Sequence, residues 1–586
     1  MTSGNRQRRT SRVRGSSYDE AARASRDRAG RRGFARPDWA YKVLLALVCL
    51  ASVVTAARLF ELTVVRRGDY AVSRESTQVL HAKRGTIYDR NGNLLATSVE
   101  CKNVICNPTE IDDASALSEL LARDLGGNAS DYTASLTAQG QYSVIKKRVD
   151  LSSADELKGD LEKAGYTGVY FEENTKRVYP NGSVAGQVLG YVGDDGNGLS
   201  GLEYYYDKIL SGTDGVVQTA TGTDGKPIAG ASTTIQEATD GQDIVISIDL
   251  DIQKMAEEKI AQATSDYNAE SGSVMVTDPS TGEILAACST PLMDPTDASS
   301  VTSDSMKLRL TGDSYEPGSI FKVLTMAVGI ESGKVTPEST FTVPPKVQLG
   351  DDLVGDDDER DYTMDMSCTE ILRRSSNTGT ALVAQAIGAE TFSAGIEKFG
   401  IGSKTGIDFP GEQAGIVATG DDVAGANLGF MSFGQGLAFP MVQVVRAVGA
   451  IANDGTMNVP HFLVQKAGDT VDWSSKGTKT VSKATCDKVT DMMRIVISEG
   501  TGTAAQVTGY DIAGKTGTGE QASAEGGYES GKYVSSLVGF ANADDPKVLV
   551  YVGLNGTPHL AASSAAPVFS AIMSEALDEM GVKPSA

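Results

Sequence analysis

Residues 315–330 read Tyr-Glu-Pro-Gly-Ser-Ile-Phe-Lys-Val-Leu-Thr-Met-Ala-Val-Gly-Ile. Pro317-Gly318 breaks the chain. Ile320, Phe321, Val323, Leu324, Met326, Val328 and Ile330 then predict a helix apolar on nearly every side, hence buried. Ser319 stands at its N-terminal end, where free amides and the positive dipole end favour developing negative charge. Lys322 is three residues on, on the same face. Burial disfavours an ammonium, so a neutral Lys322 can take the proton of Ser319. Alone, a Ser-x-x-Lys pair is weak evidence. Ser143 and Lys146 form another, in a strand-like run that points them to opposite faces.

Two further motifs follow in order. Ser375-Ser376-Asn377 offers a proton-relaying hydroxyl in Ser375 and an amide in Asn377, although Ser and Asn are also ordinary helix caps. Lys515-Thr516-Gly517-Thr518 follows a strand-like run. Gly517 removes a side chain where a ligand can approach the backbone. Lys515 with the hydroxyls of Thr516 and Thr518 suits a terminal carboxylate. Lys404-Thr405-Gly406 is a decoy in a loop with no strand before it. Together the three motifs supply a nucleophile, an amine base, a second hydroxyl, an amide and a carboxylate-binding cation. Those are the parts of a serine acyltransferase without a histidine base.

Composition narrows the setting. The chain has 586 residues, 40% of them apolar, ample for sizeable packed cores. Its formal charge is -23, yet the first 39 residues hold eleven arginines and four acids, so the rest carries about thirty negative charges. That balance is opposite to a nucleic-acid-binding surface. Residues 43–57, VLLALVCLASVVTAA, are uncharged, and the apolar stretch from 39 to 65 is long enough to span a bilayer core of about 30 Å. Arginines before it place the N-terminus in the cytoplasm and the rest outside the membrane. A cleaved signal peptide is disfavoured by the long basic region ahead, and a lipoprotein anchor at Cys49 by the bulky Val48. Six scattered cysteines make no metal spacing, and Cys101 and Cys106 point to opposite faces if on a strand. Three histidines, none near another, leave no material for a histidine-based zinc site.

Along the chain, residues 1–38 are Arg, Ser and Gly rich and read as a disordered tail. Residues 62–78 read as helical. Asn91-Gly92 between 86–88 and 94–96 predicts a hairpin. Residues 113–165 read as helical with a strand inside, and residues 211–243 as strands and turns. A new unit opens near residue 244, with Asp249 or Asp251 capping a helix. Two strands flank a turn at residues 278–282, much helix follows from 319 to 460, and strands return over 507–516 and up to 554. A helix near 566–580 closes the chain. This is α+β: an antiparallel sheet from both ends of the unit with helices between.

With the three motifs in order, the chain resembles the class B penicillin-binding proteins, membrane-anchored peptidoglycan D,D-transpeptidases, over about residues 40–580. RGTIYDRNG (84–92), YPNG (179–182) with Ala185, and GLE (201–203) resemble signatures of the family's non-catalytic region. DPSTGEILA, YEPGSIFKV, SFGQG and GTGTAAQVTGYDIAGKTGTGE resemble its transpeptidase domain. The resemblance implies a tail (1–38), a transmembrane helix (39–65), an α+β pedestal (66–240) and a β-lactamase-like transpeptidase domain (241–582). It implies that Ser319 attacks the carbonyl between the last two D-alanines of a stem peptide, and that an amine of a second stem peptide resolves the acyl-enzyme. Lys322 would be the base, Ser375 the proton shuttle and Asn377 an orienting amide. Lys515, Thr516 and Thr518 would hold the carboxylate, and the N–H groups of Ser319 and Thr518 the oxyanion. β-Lactams would acylate Ser319, with no metal or organic cofactor. Gly519 stands where the family often has alanine, and Phe439-Pro440 where a threonine is more usual.

The division-type enzymes resemble the chain best, through residues 531–552, with the elongation type as runner-up. Residues 70–240 lack the glycosyltransferase signatures of class A. A different role is as a scaffold: the pedestal and membrane helix would dock and activate a SEDS-type glycosyltransferase and other division-complex membrane proteins. A β-lactam hydrolase or sensor is a third, but no motif nominates a water-activating base.

Overall fold

The computed structural model describes residues 38–65, 74–221, 227–358, 360–522 and 527–584. The described residues fall into two units, one within residues 1–76 and 220–231 and the other within residues 77–219 and 232–586. In the first, the helix Asp38–Phe60 continues as a π-helical turn, Glu61–Val65. Its apolar stretch Trp39–Val65 is 27 residues, with a mean hydropathy of 2.3 over its most apolar 18 residues, long and apolar enough to cross a membrane. The expected tail, residues 1–38, lies outside the described residues except for Asp38. The helix expected over 62–78 is corrected in its described part: residues 74–78 belong to the strand Arg74–Leu80. Thr77 and Val79 are β-branched, and such side chains suit a strand. Residues 66–73 lie outside the described residues.

In the second unit, the predicted hairpin forms. Ile87–Tyr88 pairs antiparallel with Leu94–Cys106, and Gly92 adopts φ +86° at the turn. Asp89 fixes it by accepting the N–H groups of Asn91 at 2.8 Å and Asn93 at 2.7 Å. The Leu94–Cys106 strand also pairs with Ser143–Asp150 and Val169–Val178. Helices Ala114–Leu125 and Leu151–Ala164 pack on these strands through Leu117, Leu121, Leu157 and Leu161. The sequence reading of residues 113–165 is thus borne out. So, in its described part, is the reading of residues 211–243, where strands Gly215–Thr221 and Pro227–Gln236 form; residues 222–226 lie outside the described residues. All six cysteines are free.

Two of the quoted signatures meet as a buried ion cluster. Arg84 Nε donates to Glu203 Oε2 at 2.5 Å, and Arg177 Nε donates to Glu203 Oε1 at 2.6 Å. Glu203 is wholly buried. Arg84 also bonds Asp207 at 2.7 Å, and Arg177 donates to the Gly85 carbonyl at 2.7 Å.

The C-terminal part is built on a five-stranded antiparallel sheet in the order Ile284–Ser289, Ser271–Thr277, Leu549–Thr557, Tyr528–Ala541, Ile512–Ala522. Its strands come from both ends of the unit, as the alternating patterns imply. Successive residues face opposite sides. Val274, Val276, Val550 and Val552 pack under the helices Leu250–Asp266 and Ala565–Glu579. Met275, Leu549 and Tyr551 join the larger core of the inserted helices. Asp249 caps the first helix by accepting the N–H groups of Asp251 and Ile252. The inserted region is less helical than its sequence implied. Four short strands, Thr340–Val343, Lys346–Leu349, Asp352–Gly355 and Met364–Ser367, interrupt it. Pro344-Pro345, Gly350 and Gly355 stop any helix there.

Candidate active site

Ser319 lies in a single 3-10 turn, Gly318–Phe321, that runs into the helix Lys322–Glu331. Gly318 adopts φ +57° and donates its N–H to the Gly434 carbonyl at 3.1 Å. A Cβ on Gly434 would stand 2.1 Å from the Gly318 carbonyl oxygen, so SFGQG must keep glycine there to seat the turn. Ser319 is 8% exposed and Lys322 fully buried.

The Lys322 amine donates to Ser319 Oγ at 2.9 Å, to Asn377 Oδ1 at 2.7 Å, and to the Ser375 carbonyl. Its distance to Ser375 Oγ is 3.3 Å. Burial pushes Lys322 down to about 8, against the upward pull of the Asp357 and Asp356 carboxylates. The second motif is delivered by two helix ends. Ser375 terminates the helix Cys368–Arg374 in the left-handed conformation, φ 60° and ψ 34°. Ser376 caps the helix Asn377–Ile387 by accepting the Gly379 N–H. Both the cap and the site geometry are therefore present, in adjacent serines.

The third motif lies on the Ile512–Ala522 strand, at an edge of the sheet. Lys515 is fully buried and donates to Ser375 Oγ at 2.9 Å and to the Thr516 carbonyl at 2.8 Å. Burial, and then the neighbouring Lys322, holds its amine well below the ordinary lysine range. Thr516 Oγ1 meets Thr501 Oγ1 at 2.6 Å. Thr518 is part-exposed, and its hydroxyl lies 3.5 Å from the Ala561 N–H. Gly517 also has a packing reason within the chain. A Cβ there would lie 2.5 Å from Ser536 Oγ, 2.9 Å from Ile320 Cγ2 and 3.1 Å from the Pro317 carbonyl. The chain's own Ser319-bearing turn approaches that glycine.

Ser319, Lys322, Ser375, Asn377 and Lys515 thus converge, with Thr516, Gly517 and Thr518 along the adjoining strand. The decoys do not. Lys146 donates to the Leu125 carbonyl. In the other, Thr405 gives its N–H and hydroxyl to Glu412 Oε1, each at 2.6 Å. Phe439, in place of the more usual threonine, is buried with its ring centroid 6.2 Å from that of Phe321. Sequence reasoning missed Thr501, Asp356 and Arg360. Asp356 stands in an acidic run whose members look alike in sequence.

The family profile described as the penicillin binding protein transpeptidase domain matches residues 272–574, and that of the penicillin-binding protein dimerisation domain matches residues 79–246. Penicillin-binding protein PbpB of Mycolicibacterium smegmatis is 30% identical over 90% of this chain and 88% of its own. Peptidoglycan D,D-transpeptidase FtsI of Escherichia coli is 28% identical over 94% and 93%. A crystal structure from Atopobium parvulum, provisionally described as a peptidoglycan glycosyltransferase, is 42% identical with a TM-score of 0.68. It covers 87% of this chain and 100% of the solved one.

Proposed function

This chain belongs to the class B penicillin-binding proteins, and from that membership we propose that it is a peptidoglycan D,D-transpeptidase working through a Ser319 acyl-enzyme. The observation that carries the mechanism is the 2.9 Å contact between Ser319 Oγ and a buried Lys322 amine pushed down to about 8. An amine near 8 is neutral in roughly a tenth of the molecules at pH 7 and in most of them above about 8, so a reactive base fraction is present and grows with pH.

Neutral Lys322 takes the Ser319 proton as Oγ attacks the carbonyl between two D-alanines. The tetrahedral oxyanion is held by the N–H groups of Ser319 and Thr518, worth about 3 kcal/mol per donor in related chemistry. Ser375, bonded to both amines, passes the proton to the leaving D-alanine nitrogen, and the C–N bond breaks. An amine of a second stem peptide then attacks the ester, loses its proton along the same relay and releases Ser319 with a new peptide bond. Asn377 orients the donor. Lys515, Thr516 and Thr518 hold the terminal carboxylate. β-Lactams, which mimic that end, acylate Ser319 and stay.

We read the chain as a tail (1–38), a membrane-crossing helix (39–65) with its N-terminus inside, a pedestal (66–240) and an external transpeptidase domain (241–582). The proposed setting is septal synthesis beside a SEDS-type glycosyltransferase. Labelling with a fluorescent penicillin tests the chemistry: the wild type labels and Ser319→Ala does not. Equal labelling of that variant sinks the mechanism, and a dark wild type makes the protein a scaffold only. A tagged copy at division rings supports the septal role, and side-wall patches the elongation role.

A further inference from the structure

Behind the second motif lies a carboxylate that this mechanism does not use. Asp356 directly follows the strand Asp352–Gly355, and its side chain is 5% exposed. It accepts from Ser376 Oγ at 2.7 Å, the Thr378 N–H at 2.9 Å, Thr378 Oγ1 at 3.0 Å and Arg360 Nη2 at 3.0 Å. Arg360 is itself fixed by the carbonyls of Val343 at 3.0 Å, Pro344 at 2.8 Å and Tyr362 at 2.7 Å. Burial alone would raise the Asp356 carboxyl. The Thr378 N–H, the Ser376 hydroxyl, Arg360 and the Thr378 hydroxyl hold it below the usual range, so it is an anion.

Asn377 stands between the two residues that Asp356 grips. Its Oδ1 accepts from the Lys322 amine at 2.7 Å, and its Nδ2 faces the Gly355 carbonyl, the residue before Asp356, at 3.3 Å. One end of the amide is therefore held by the loop that carries Asp356, and the other meets the Lys322 amine. Ser375, whose carbonyl and hydroxyl face the two lysines, immediately precedes the gripped turn.

We propose that Asp356 is a positioning residue for the reaction, clamping residues 376–378 so that Asn377 and Ser375 hold the Lys322 amine against Ser319. This rests on the Ser319 acyl-enzyme reading above. The clamp also has an electrostatic arm. The groups that face Lys322 are Ser319, Ser375 and Asn377, all neutral, Lys515 from the edge strand, and the carboxylates of Asp356 and Asp357 from this loop. The two carboxylates favour a proton on Lys322, burial opposes it, and the Lys322 charge in turn holds Lys515 down. Removing a carboxylate therefore lets Lys322 lose its proton at lower pH.

The test is the second-order rate of acylation by a β-lactam as a function of pH, on the whole chain in detergent. Asp356→Asn should lower the plateau about tenfold or more and move the acidic limb down by about half a unit. Asp357→Asn should move the limb the same way and leave the plateau within about twofold. If Asp356→Asn does not fold, Ser376→Ala removes one of the four bonds and keeps the charge. It also removes the cap on the Asn377–Ile387 helix, and should lower the plateau severalfold with the limb in place. A wild-type plateau in folded Asp356→Asn, or in Ser376→Ala, overturns the clamp. A fixed limb in both aspartate variants overturns the electrostatic arm. An acylated Ser319→Ala would instead overturn the underlying mechanism, so the two failures are distinct.

Discussion

The Lys515 amine donates to the Ser375 hydroxyl at 2.9 Å, so the second and third motifs meet at one oxygen although 140 residues separate them. That oxygen is also 3.3 Å from the Lys322 amine. Ser375 holds this place in the left-handed conformation at φ 60°, which costs a non-glycine residue about 1 kcal/mol. Ser375→Gly should therefore keep the melting temperature nearly unchanged, because glycine accepts the backbone without strain. It should also slow acylation by a β-lactam by about 100-fold or more, because the proton relay is gone. A folded Ser375→Gly that acylates at the wild-type rate removes Ser375 from the mechanism.

At Gly517 the edge strand packs tightly against the Ser319 turn. A methyl group there meets Ile320 Cγ2 at 2.9 Å and the Pro317 carbonyl at 3.1 Å, neither of which can swing away as Ser536 Oγ can. Gly517→Ala should cost about 1–3 kcal/mol in denaturant unfolding. It should also slow acylation, since strand and turn separate with Ser319 on the turn. Unchanged stability would show that the turn yields without strain.

How much of this was legible in the sequence divides along the range of the interactions. The Pro317-Gly318 break, the apolar run from Ile320 to Ile330 and the alternation in the sheet strands are short-range patterns. They correctly implied a buried Ser-x-x-Lys turn and an α+β sheet from both ends of the unit. Arg84 and Glu203 were each part of a quoted signature, yet nothing local says that their side chains meet. Asp356 is one of a run of aspartates, and only the fold decides which is buried against Ser376 and which stays wet. Gly517 was identified, but the partner it makes room for comes from a turn nearly 200 residues earlier. Residues 74–78 were misread because a short polar run has no period to distinguish helix from strand.

Lys322 carries a stability cost that its chemistry requires. Its amine is pushed down from 10.5 to about 8 in the folded chain. Between those values the unfolded chain binds more protons than the folded one, so this group's contribution to stability rises with pH across the window. Below about 8 the full cost of a buried ammonium is present. Lys322→Met keeps the volume and removes the charge. It should abolish acylation and, at pH 7, melt no lower than the wild type. The wild type should then gain on it as the pH is raised from 8 towards 10.5. A difference that does not change with pH would mean that Lys322 keeps an ordinary proton affinity.

The Glu203 cluster gives the opposite separation, stability without chemistry. Its two carboxylate oxygens serve Arg84 at 2.5 Å and Arg177 at 2.6 Å, and all three side chains are at most 7% exposed. Replacing the whole cluster by apolar groups need not destabilise, but deleting only the anion strands two guanidinium groups out of water. Arg84 retains Asp207 and the Glu203 carbonyl, and Arg177 retains the Gly85 carbonyl, so the loss is incomplete. Glu203→Ala should therefore cost about 3 kcal/mol or somewhat more. The acylation rate per folded molecule should stay near wild type, because no residue of the cluster bonds Ser319, Lys322 or Lys515. Thermal unfolding with active-site titration by a labelled penicillin reads both quantities from one sample. A full melting temperature would show that Arg84 and Arg177 find other partners. A folded but slow variant would show that the pedestal reaches the acylation site through its packing.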